Sequence, residues 1–152
     1  ERDWVLEVPD ESAPDALPDE LVLDGQRLTQ ALLAFADNAV KHTGDGDRIA
    51  IGAVLDGRDL RCWVHDSGAG VASEDRERIF GRFGRAVVPH GDEGFGLGLS
   101  IVSAIAVAHG GRAYVDPHTR RGARFVIEIP AVLSAPTMPA PPEEENNPWP
   151  GS

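Results

Sequence analysis

The sequence is poor in several residue types, and each shortage limits what the chain can do. It has one cysteine, Cys62, among 152 residues, which excludes an intramolecular disulfide and a zinc site built from several cysteines. No apolar run approaches the ~20 residues that a helix needs to cross a bilayer, and no signal-peptide pattern opens the chain. Lysine occurs only as Lys41, so arginine supplies thirteen of the fourteen basic residues.

Positive charge is also scarce, since 14 basic residues stand against 25 acidic ones and the net charge is −11. This excess of acid argues against a general surface for nucleic acids or anionic membranes. The imbalance lies at the ends, with −8 in residues 1–24 and −3 in residues 131–152, while residues 25–130 hold thirteen of each sign. The neutral central part is therefore compatible with an anionic ligand.

The C-terminal end differs in composition from the rest of the chain. It is rich in proline and contains three consecutive glutamates at 143–145, so we expect residues 133–152 to form a disordered tail. Residues 1–132 then form one domain. Residue 1 is Glu and the single methionine is Met138, so we interpret the chain as an excerpt or a processed product.

Between the ends, strand-like and helix-like periodicities alternate. Asp24 is placed to cap a helix that runs to about His42, Ser73 to cap a short helix, and a third, apolar helix covers 99–108. A two-residue hairpin turn is expected at Asp56 and Gly57. We expect strands at residues 4–8, 21–23, 48–55, 60–66, 112–115 and 123–129. Together these predict a two-layer α/β sandwich, with a mixed, mostly antiparallel sheet packed by about three helices.

The glycine-rich stretch 68–98 is the first of three segments that can bind a ligand. Its last glycines lead into the apolar helix, and backbone N–H groups at a helix start can hold an anion. The dinucleotide G-x-G-x-x-G pattern does not fit, and neither does a Walker A loop, because Leu97 stands where lysine is required. A flexible loop before a core helix explains this stretch equally well when it is taken alone.

Asp66 and Asn38 mark the other two segments. Asp66 ends a strand beside two glycines, where its carboxylate can accept a hydrogen bond from an exocyclic amine such as that of adenine. Asn38 lies one helical turn before Lys41, and an amide oxygen beside a cation suits Mg²⁺ together with phosphate. Taken alone, an Asx turn explains Asp66 and a solvated helix end explains Asn38.

In combination, the three segments resemble one family. Residues 37–43 (Asp-Asn-Ala-Val-Lys-His-Thr) resemble the asparagine box of sensor histidine kinases, and residues 66–71 resemble their first glycine box. Residues 78–85 resemble the phenylalanine box, 94–102 the second glycine box and 122–130 the closing segment. The resemblance implies the catalytic, ATP-binding domain of the gyrase, chaperone, histidine kinase and MutL superfamily, which has the Bergerat fold.

The resemblance also implies a role for each matching residue. Asn38 would hold Mg²⁺, while Lys41 and Arg82 or Arg85 would act with it on the phosphates, and Asp66 would recognise the adenine amine. The residues that it implies for binding Mg-ATP are Asn38, Lys41, His42, Asp66, Gly68, Gly70, Val71, Gly94, Gly96, Leu97, Gly98 and Leu99.

Ala34 departs from the family pattern. Histidine kinases usually have a first asparagine at this place, whereas gyrase-like and MutL-like ATPases have a glutamate that acts as general base. Alanine takes no proton. We therefore expect the domain to position the γ-phosphoryl group for an outside nucleophile, and not to hydrolyse ATP efficiently by itself. The alternatives are an ATP-driven clamp of the gyrase–MutL type and a degenerate nucleotide-sensing module.

None of the five histidines lies in a His-Glu/Asp-x-x-Thr-Pro setting on a helix, so we expect the phospho-acceptor histidine outside this chain. The lack of an initiator methionine favours an acceptor upstream in the same parent protein over one on a partner subunit. The expected partners are a dimerisation and phospho-acceptor domain and a response regulator, with no nucleic acid. We expect the fragment to be monomeric and to be the cytoplasmic domain of a membrane-bound sensor kinase.

Overall fold

The computed structural model of the chain describes residues 1–14, 17, 21–80 and 97–133. Two α-helices, a 3₁₀ turn and seven strands occur in this part of the chain. Their order is β1 (Asp3–Glu7), β2 (Leu21–Val22), α1 (Gly25–Lys41), β3 (Arg48–Asp56), β4 (Asp59–Asp66), the 3₁₀ turn (Arg78–Phe80), α2 (Leu97–Ala108), β5 (Arg112–Val115), β6 (Ala123–Pro130) and β7 (Val132–Leu133). Of the tail expected at 133–152, Leu133 lies in β7, and the remaining residues lie outside the described residues.

Five strands form one sheet in the order β1-β3-β4-β6-β5. β1 pairs with β3 in parallel, and the other three neighbouring pairs are antiparallel. Both helices pack against the same face, where Phe35 of α1 and Val102 of α2 share a core with Val64 of β4 and Phe125 of β6. The predicted two-layer sandwich with a mixed, mostly antiparallel sheet is confirmed.

Strand β4 shows how the alternation of side chains places a polar group at the edge of this core. Leu60, Cys62 and Val64 are buried on the face toward the helices, as period-2 alternation requires. Asp66 is next in the same series, so its carboxyl group enters the core side at the end of the strand and is 3% exposed.

Helix α1 begins as the sequence predicts. The side chain of Asp24 accepts a hydrogen bond from the backbone N–H of Arg27 at 3.1 Å, which satisfies one of the free donors of the first turn. The Phe35 ring packs between two other rings, with centroid distances of 6.3 Å to Phe80 and 5.7 Å to Phe125. These contacts hold the middle of α1 on the sheet.

The helix predicted from Ser73 is wrong. Residues 73–77 form turns, followed by the single 3₁₀ turn Arg78–Phe80, so the described residues contain two α-helices where about three were expected. One helical turn of hydrogen bonding does occur, because the backbone C=O of Asp75 accepts from the N–H of Ile79 at 3.0 Å, and the Asp75 carboxylate lies 3.7 Å from the Arg78 guanidinium. Burial of Phe80 in the core fixes the turn geometry instead of a regular helix.

Three smaller differences concern element ends. Helix α2 begins at Leu97, two residues before the predicted start, so Gly98 is helical. The pair Asp56↔Asp59 closes the β3–β4 hairpin, which moves the turn to Gly57 and the residue after it. The short strands β2 and β7 pair with each other outside the main sheet, through Leu21↔Leu133.

Among the described residues, no helix has both the length and the apolar character needed to span a membrane.

Candidate functional site

A small cavity at the C-terminal end of α1 brings together residues that are far apart in the sequence. Its volume is about 10 Å³, close to the least that can hold one water molecule. It is therefore too small to enclose a nucleotide. The lining residues are Asn38, His42, Asp66, Gly70, Val71, Ala123 and Phe125. Five of these seven belong to the set that the sequence predicts.

Asn38 has the most unusual environment in this cavity. It lies on the core side of α1, one turn after Phe35, and is 4% exposed. Its side-chain Oδ1 and Nδ2 are both buried, and neither has a hydrogen-bond partner among the residues that the structure describes. Each unsatisfied buried polar group costs about 1–3 kcal/mol, which makes this amide the candidate position for a ligand contact.

Asp66 is held by backbone donors on two sides. Its Oδ1 accepts from the N–H of Gly68 at 2.9 Å, and its carboxylate also accepts a hydrogen bond from the N–H of Ala123. Burial raises the pKa of Asp66 above its ordinary value, while these two hydrogen bonds and the nearby rings of His65 and His42 act in the opposite direction. The bond to Gly68 is the Asx-type contact expected for a strand end, so Asp66 both closes the turn and lines the cavity.

Three glycines allow the backbone segments around Asp66 to approach each other. A Cβ atom on Gly68 would lie 2.5 Å from the carbonyl oxygen of His42, which places the loop after β4 directly against the end of α1. Gly70 has φ +82° and Gly122 has φ +71°, a backbone region that disfavours other residues. A Cβ atom on Gly122 would lie 1.7 Å from the carbonyl oxygen of Asp66.

Sequence reasoning did not include Gly122, Ala123 and Phe125 among the site residues. The glycine directly before strand β6 was the available signal, because a glycine at a strand start often marks a close backbone approach. Their place in the site follows from the pairing Asp66↔Ala123, which brings the start of β6 beside the end of β4. No local pattern reveals that pairing.

Lys41 does not line the cavity. Its Nζ lies 2.9 Å from Oδ2 of Asp37, one turn earlier on the exposed side of α1, and both side chains are more than half exposed. Val71, in contrast, packs against the core beside the cavity. The structure thus places Val71 at the cavity and Lys41 outside it, on the exposed side of α1.

The start of α2 lies against the middle of α1, one turn before Asn38. A Cβ atom on Gly98 would be 3.6 Å from Cβ of Ala34, an ordinary contact between the two helices. Leu99 is 2% exposed and belongs to the hydrophobic core, and the described part of the cavity does not include it. Leu97 is the first residue of α2. The remaining predicted site residues, which lie outside the described residues, are Arg82, Arg85, Gly94 and Gly96.

A larger groove of about 1160 Å³ lies partly on the opposite face of the sheet. Two of its lining side chains contact the Glu128 carboxylate, with Arg61 Nε at 3.0 Å and the Tyr114 hydroxyl at 3.3 Å from Oε2. Neither Asn38 nor Asp66 borders it. We therefore locate the candidate site at the smaller cavity, where the unsatisfied amide lies.

Within the described ranges, no three or more His, Cys, Asp or Glu side chains are grouped to hold a metal ion. A metal held only by several such ligands therefore does not fit this part of the chain. Mg²⁺ is different, because it commonly keeps several waters and binds through one or two protein oxygens together with substrate phosphates. The unpaired Oδ1 of Asn38 is suited to be such an oxygen.

Comparisons with known proteins identify the family of the chain. Residues 23–133 match the family model described as histidine kinase-, DNA gyrase B-, and HSP90-like ATPase. The adaptive-response sensory kinase SasA of Nostoc sp. is 36% identical over 112 residues, which are 73% of this chain and 28% of SasA. The sensor histidine kinase component HK1 of Mycobacterium tuberculosis is 37% identical over 134 residues, 88% of this chain and 74% of HK1.

A solved structure shows the same similarity in three dimensions. The crystal structure of full-length ShkA in complex with AMPPNP has a TM-score of 0.67 and 37% sequence identity to this chain. The matched region covers 90% of this chain and 26% of ShkA. The chain thus spans between a quarter and a third of the length of SasA and of ShkA.

Proposed function

Because this chain belongs to the family of histidine kinase-, DNA gyrase B-, and HSP90-like ATPases, we propose that it binds Mg-ATP at the Asn38–Asp66 cavity and donates the γ-phosphoryl group to a histidine of another domain. The sequence-based identification as a sensor histidine kinase catalytic domain is confirmed by relatives that are named sensor kinases. The details of binding and transfer below are the proposal.

The unsatisfied amide of Asn38 is the observation that carries the proposal. Its Oδ1 has the chemistry to bind Mg²⁺, and its Nδ2 can donate a hydrogen bond to a phosphate oxygen. The bound Mg²⁺ supplies positive charge that neutralises the phosphates. Both polar atoms of Asn38 then acquire partners, which removes the cost of burying them.

Asp66 gives the other end of the site its selectivity for the base. Because Gly68 and Ala123 hold the carboxylate rigidly, it can accept a hydrogen bond from an exocyclic amine without first losing side-chain freedom. Adenine presents such an amine. Gly70, which borders the same cavity, has no side chain that would obstruct a planar ring approaching the carboxylate.

The proposed transfer breaks the bond between the γ-phosphorus and the β,γ-bridging oxygen and forms a bond from that phosphorus to an imidazole nitrogen of the acceptor. ADP leaves, and the acceptor's own domain takes the imidazole proton, because Ala34 provides no base. Lys41 can exchange its contact with Asp37 for a phosphate oxygen, since the side chain is exposed and flexible. Arg82 and Arg85 remain candidates for additional charge on the phosphates.

The partners follow from the same chemistry. A dimerisation and phospho-acceptor domain, in the parent chain or on a separate subunit, supplies the histidine, and a response regulator receives the phosphoryl group afterwards. The proposed setting is the cytoplasmic side of a membrane-bound sensor kinase. The related HK1 is named a component, which is consistent with an acceptor on another subunit as one of the two arrangements.

Calorimetric titration with AMPPNP, with and without Mg²⁺, tests the binding site. We expect binding that needs Mg²⁺, with Asn38→Ala and Asp66→Ala each weakening it strongly. Gln30→Ala, on the exposed side of the same helix, is the matched control and should bind like the unaltered protein. The site assignment is wrong if both cavity variants bind with unaltered affinity.

A second experiment tests the reaction. The chain is incubated with γ-labelled ATP alone, and then with an added dimerisation domain that carries an acceptor histidine. Label on the added domain and little free phosphate without it support the kinase. Steady hydrolysis without the added domain would instead support the ATP-driven clamp, which Ala34 disfavours. A degenerate nucleotide-sensing module would bind AMPPNP but show neither activity.

A further inference from the structure

One arginine side chain ties the start of the chain to the last turn of α1. Nη2 of Arg2 donates to the carbonyl oxygen of Val40 at 2.9 Å and to that of Thr43 at 2.8 Å. Its Nε donates to the Thr43 hydroxyl at 3.1 Å. The last carbonyl groups of a helix lack intrahelical partners, and the negative end of the helix dipole favours a cation there. Arg2 therefore acts as a C-terminal cap of α1 that comes from outside the helix.

The turn that Arg2 caps carries much of the candidate site. Asn38 and His42 both line the cavity, and the N–H of His42 donates to the carbonyl oxygen of Asn38. The backbone of His42 also lies against the loop after β4, because a Cβ atom on Gly68 would lie 2.5 Å from the His42 carbonyl oxygen. A displacement of this turn therefore changes the distance between the Asn38 amide and the Asp66 carboxylate.

Strand β1, which follows Arg2 directly, pairs with one strand only, although Glu7 at its far end also accepts a hydrogen bond from Trp63 Nε1 at 3.1 Å. It is an edge strand whose neighbour in the sheet is β3. Its start is also held by the N–H of Asp3, which donates to the carbonyl oxygen of Asp47, and by an exposed ion pair between Asp3 and Arg48 at 3.2 Å. An edge strand is among the elements that detach most easily, and detachment here would remove all three Arg2 contacts.

We propose that Arg2 is a positioning residue for the nucleotide site, so that the affinity for Mg-ATP depends on the attachment of β1. This inference rests on the proposed function. Arg2 touches neither the cavity nor the proposed ligand positions, and it acts by fixing the backbone of residues 40–43. A force or partner that displaces β1 then lowers the affinity for nucleotide, which regulates the site from the sheet edge.

The test compares three variants of the full chain. Arg2→Ala removes the cap, and Arg2→Lys keeps the charge but lacks the forked donors needed to reach both carbonyls and the hydroxyl. Arg48→Ala is the matched control, because it loosens the same end of β1 through the Asp3 ion pair without touching α1. Each variant is titrated with Mg-AMPPNP at a temperature at which circular dichroism shows it to be folded, and amide hydrogen exchange is followed.

We expect Arg2→Ala to weaken Mg-AMPPNP binding by roughly tenfold, as is typical of energetic coupling between sites. Arg2→Lys should be intermediate, and Arg48→Ala should bind within about twofold of the unaltered protein. Exchange at the amides of residues 40–43 should be faster in Arg2→Ala than in Arg48→Ala.

Two results overturn the inference. One is unaltered affinity in Arg2→Ala despite faster exchange at residues 40–43, and the other is an equal loss in Arg2→Ala and Arg48→Ala, which would indicate general loosening of β1. If Arg2→Ala does not fold, unaltered affinity in Arg2→Lys overturns the inference in its place. Failure of the unaltered protein to bind Mg-AMPPNP would instead contradict the proposed function.

Discussion

Replacing Asn38 with alanine should stabilise the protein while removing its response to nucleotide. The amide is buried at 4% exposure, and neither of its polar atoms has a partner among the described residues. An unsatisfied buried amide costs about 1–3 kcal/mol, and Asn38→Ala removes that cost. The residue that we propose to bind the ligand is thus expected to destabilise the free protein.

Two further contributions to the free energy of unfolding nearly cancel. Alanine is a better helix former than asparagine by up to about 0.7 kcal/mol, which adds stability in the last turns of α1. Removal of an amide of roughly 30 Å³ leaves a cavity that costs about 0.7 kcal/mol. The net expectation is a stabilisation of about 1–3 kcal/mol, or a rise in Tm of about 3–10 °C for a chain of this size.

Thermal unfolding with and without Mg-AMPPNP measures both effects. At a ligand concentration 100 times Kd, the unaltered protein should gain about 2.7 kcal/mol, whereas Asn38→Ala should gain almost nothing. Gln30→Ala exchanges an exposed amide of the same helix. It should change neither the stability of the free protein nor the gain from the ligand by more than about 0.5 kcal/mol. A loss of more than about 1 kcal/mol in the free Asn38→Ala protein would show that the amide is satisfied without ligand, and would refute this reasoning.

Four other predictions concern Asp66, the glycine that lies against it and the buried cysteine. Asp66→Asn should weaken Mg-AMPPNP binding by roughly 10- to 100-fold, the loss of one hydrogen bond to a charged group, and unaltered affinity in a calorimetric titration would contradict the adenine contact. Burial raises the pKa of Asp66, so the carboxylate is lost on acidification at a higher pH than the ordinary 3.8. Affinity measured as a function of pH should fall through that range in the unaltered protein, and an equal fall in Asp66→Asn would assign the effect to another group. Gly122→Ala should destabilise the fold by at least about 2 kcal/mol in urea unfolding, because its Cβ would lie 1.7 Å from the Asp66 carbonyl oxygen at φ +71°. A midpoint unchanged in that variant would mean that the backbone can shift there at little cost. Burial raises the pKa of the Cys62 thiol to about 11, so at pH 8 a thiol reagent should modify it only on unfolding, and rapid modification of the folded protein would contradict its burial.

Local sequence patterns predicted those helices and strands whose boundaries depend on interactions between residues close together in the chain. Asp24 caps α1 because its side chain reaches a donor three residues on, and alternation along β4 places every second residue from Leu60 to Asp66 on the face toward the helices. The prediction failed at Ser73, where the capping signal was present but burial of Phe80 determined the geometry. A cap stabilises a helix by only about 1 kcal/mol, less than the burial of one aromatic ring, so packing decided the outcome.

For the candidate site, the sequence predicted the types of residue better than their arrangement. Asn38 and Asp66 were identified from the boxes, and the structure brings both to one cavity. Leu99 belongs to the hydrophobic core, and Lys41 lies outside the cavity in contact with Asp37. These placements depend on which side of each helix faces the sheet, and helical spacing by itself leaves that undetermined.

The sequence by itself determined the fold class, the family and the two polar residues on which the proposed chemistry rests. Short motifs reveal all three, because binding a particular ligand group requires particular residue types at fixed spacing. The tertiary structure alone decided that Ala123 supports Asp66, that Gly122 must lie against its carbonyl, and that Arg2 caps the helix end that carries Asn38. Those contacts join residues 38 to 57 positions apart in the chain, and only strand pairing and helix packing bring them together.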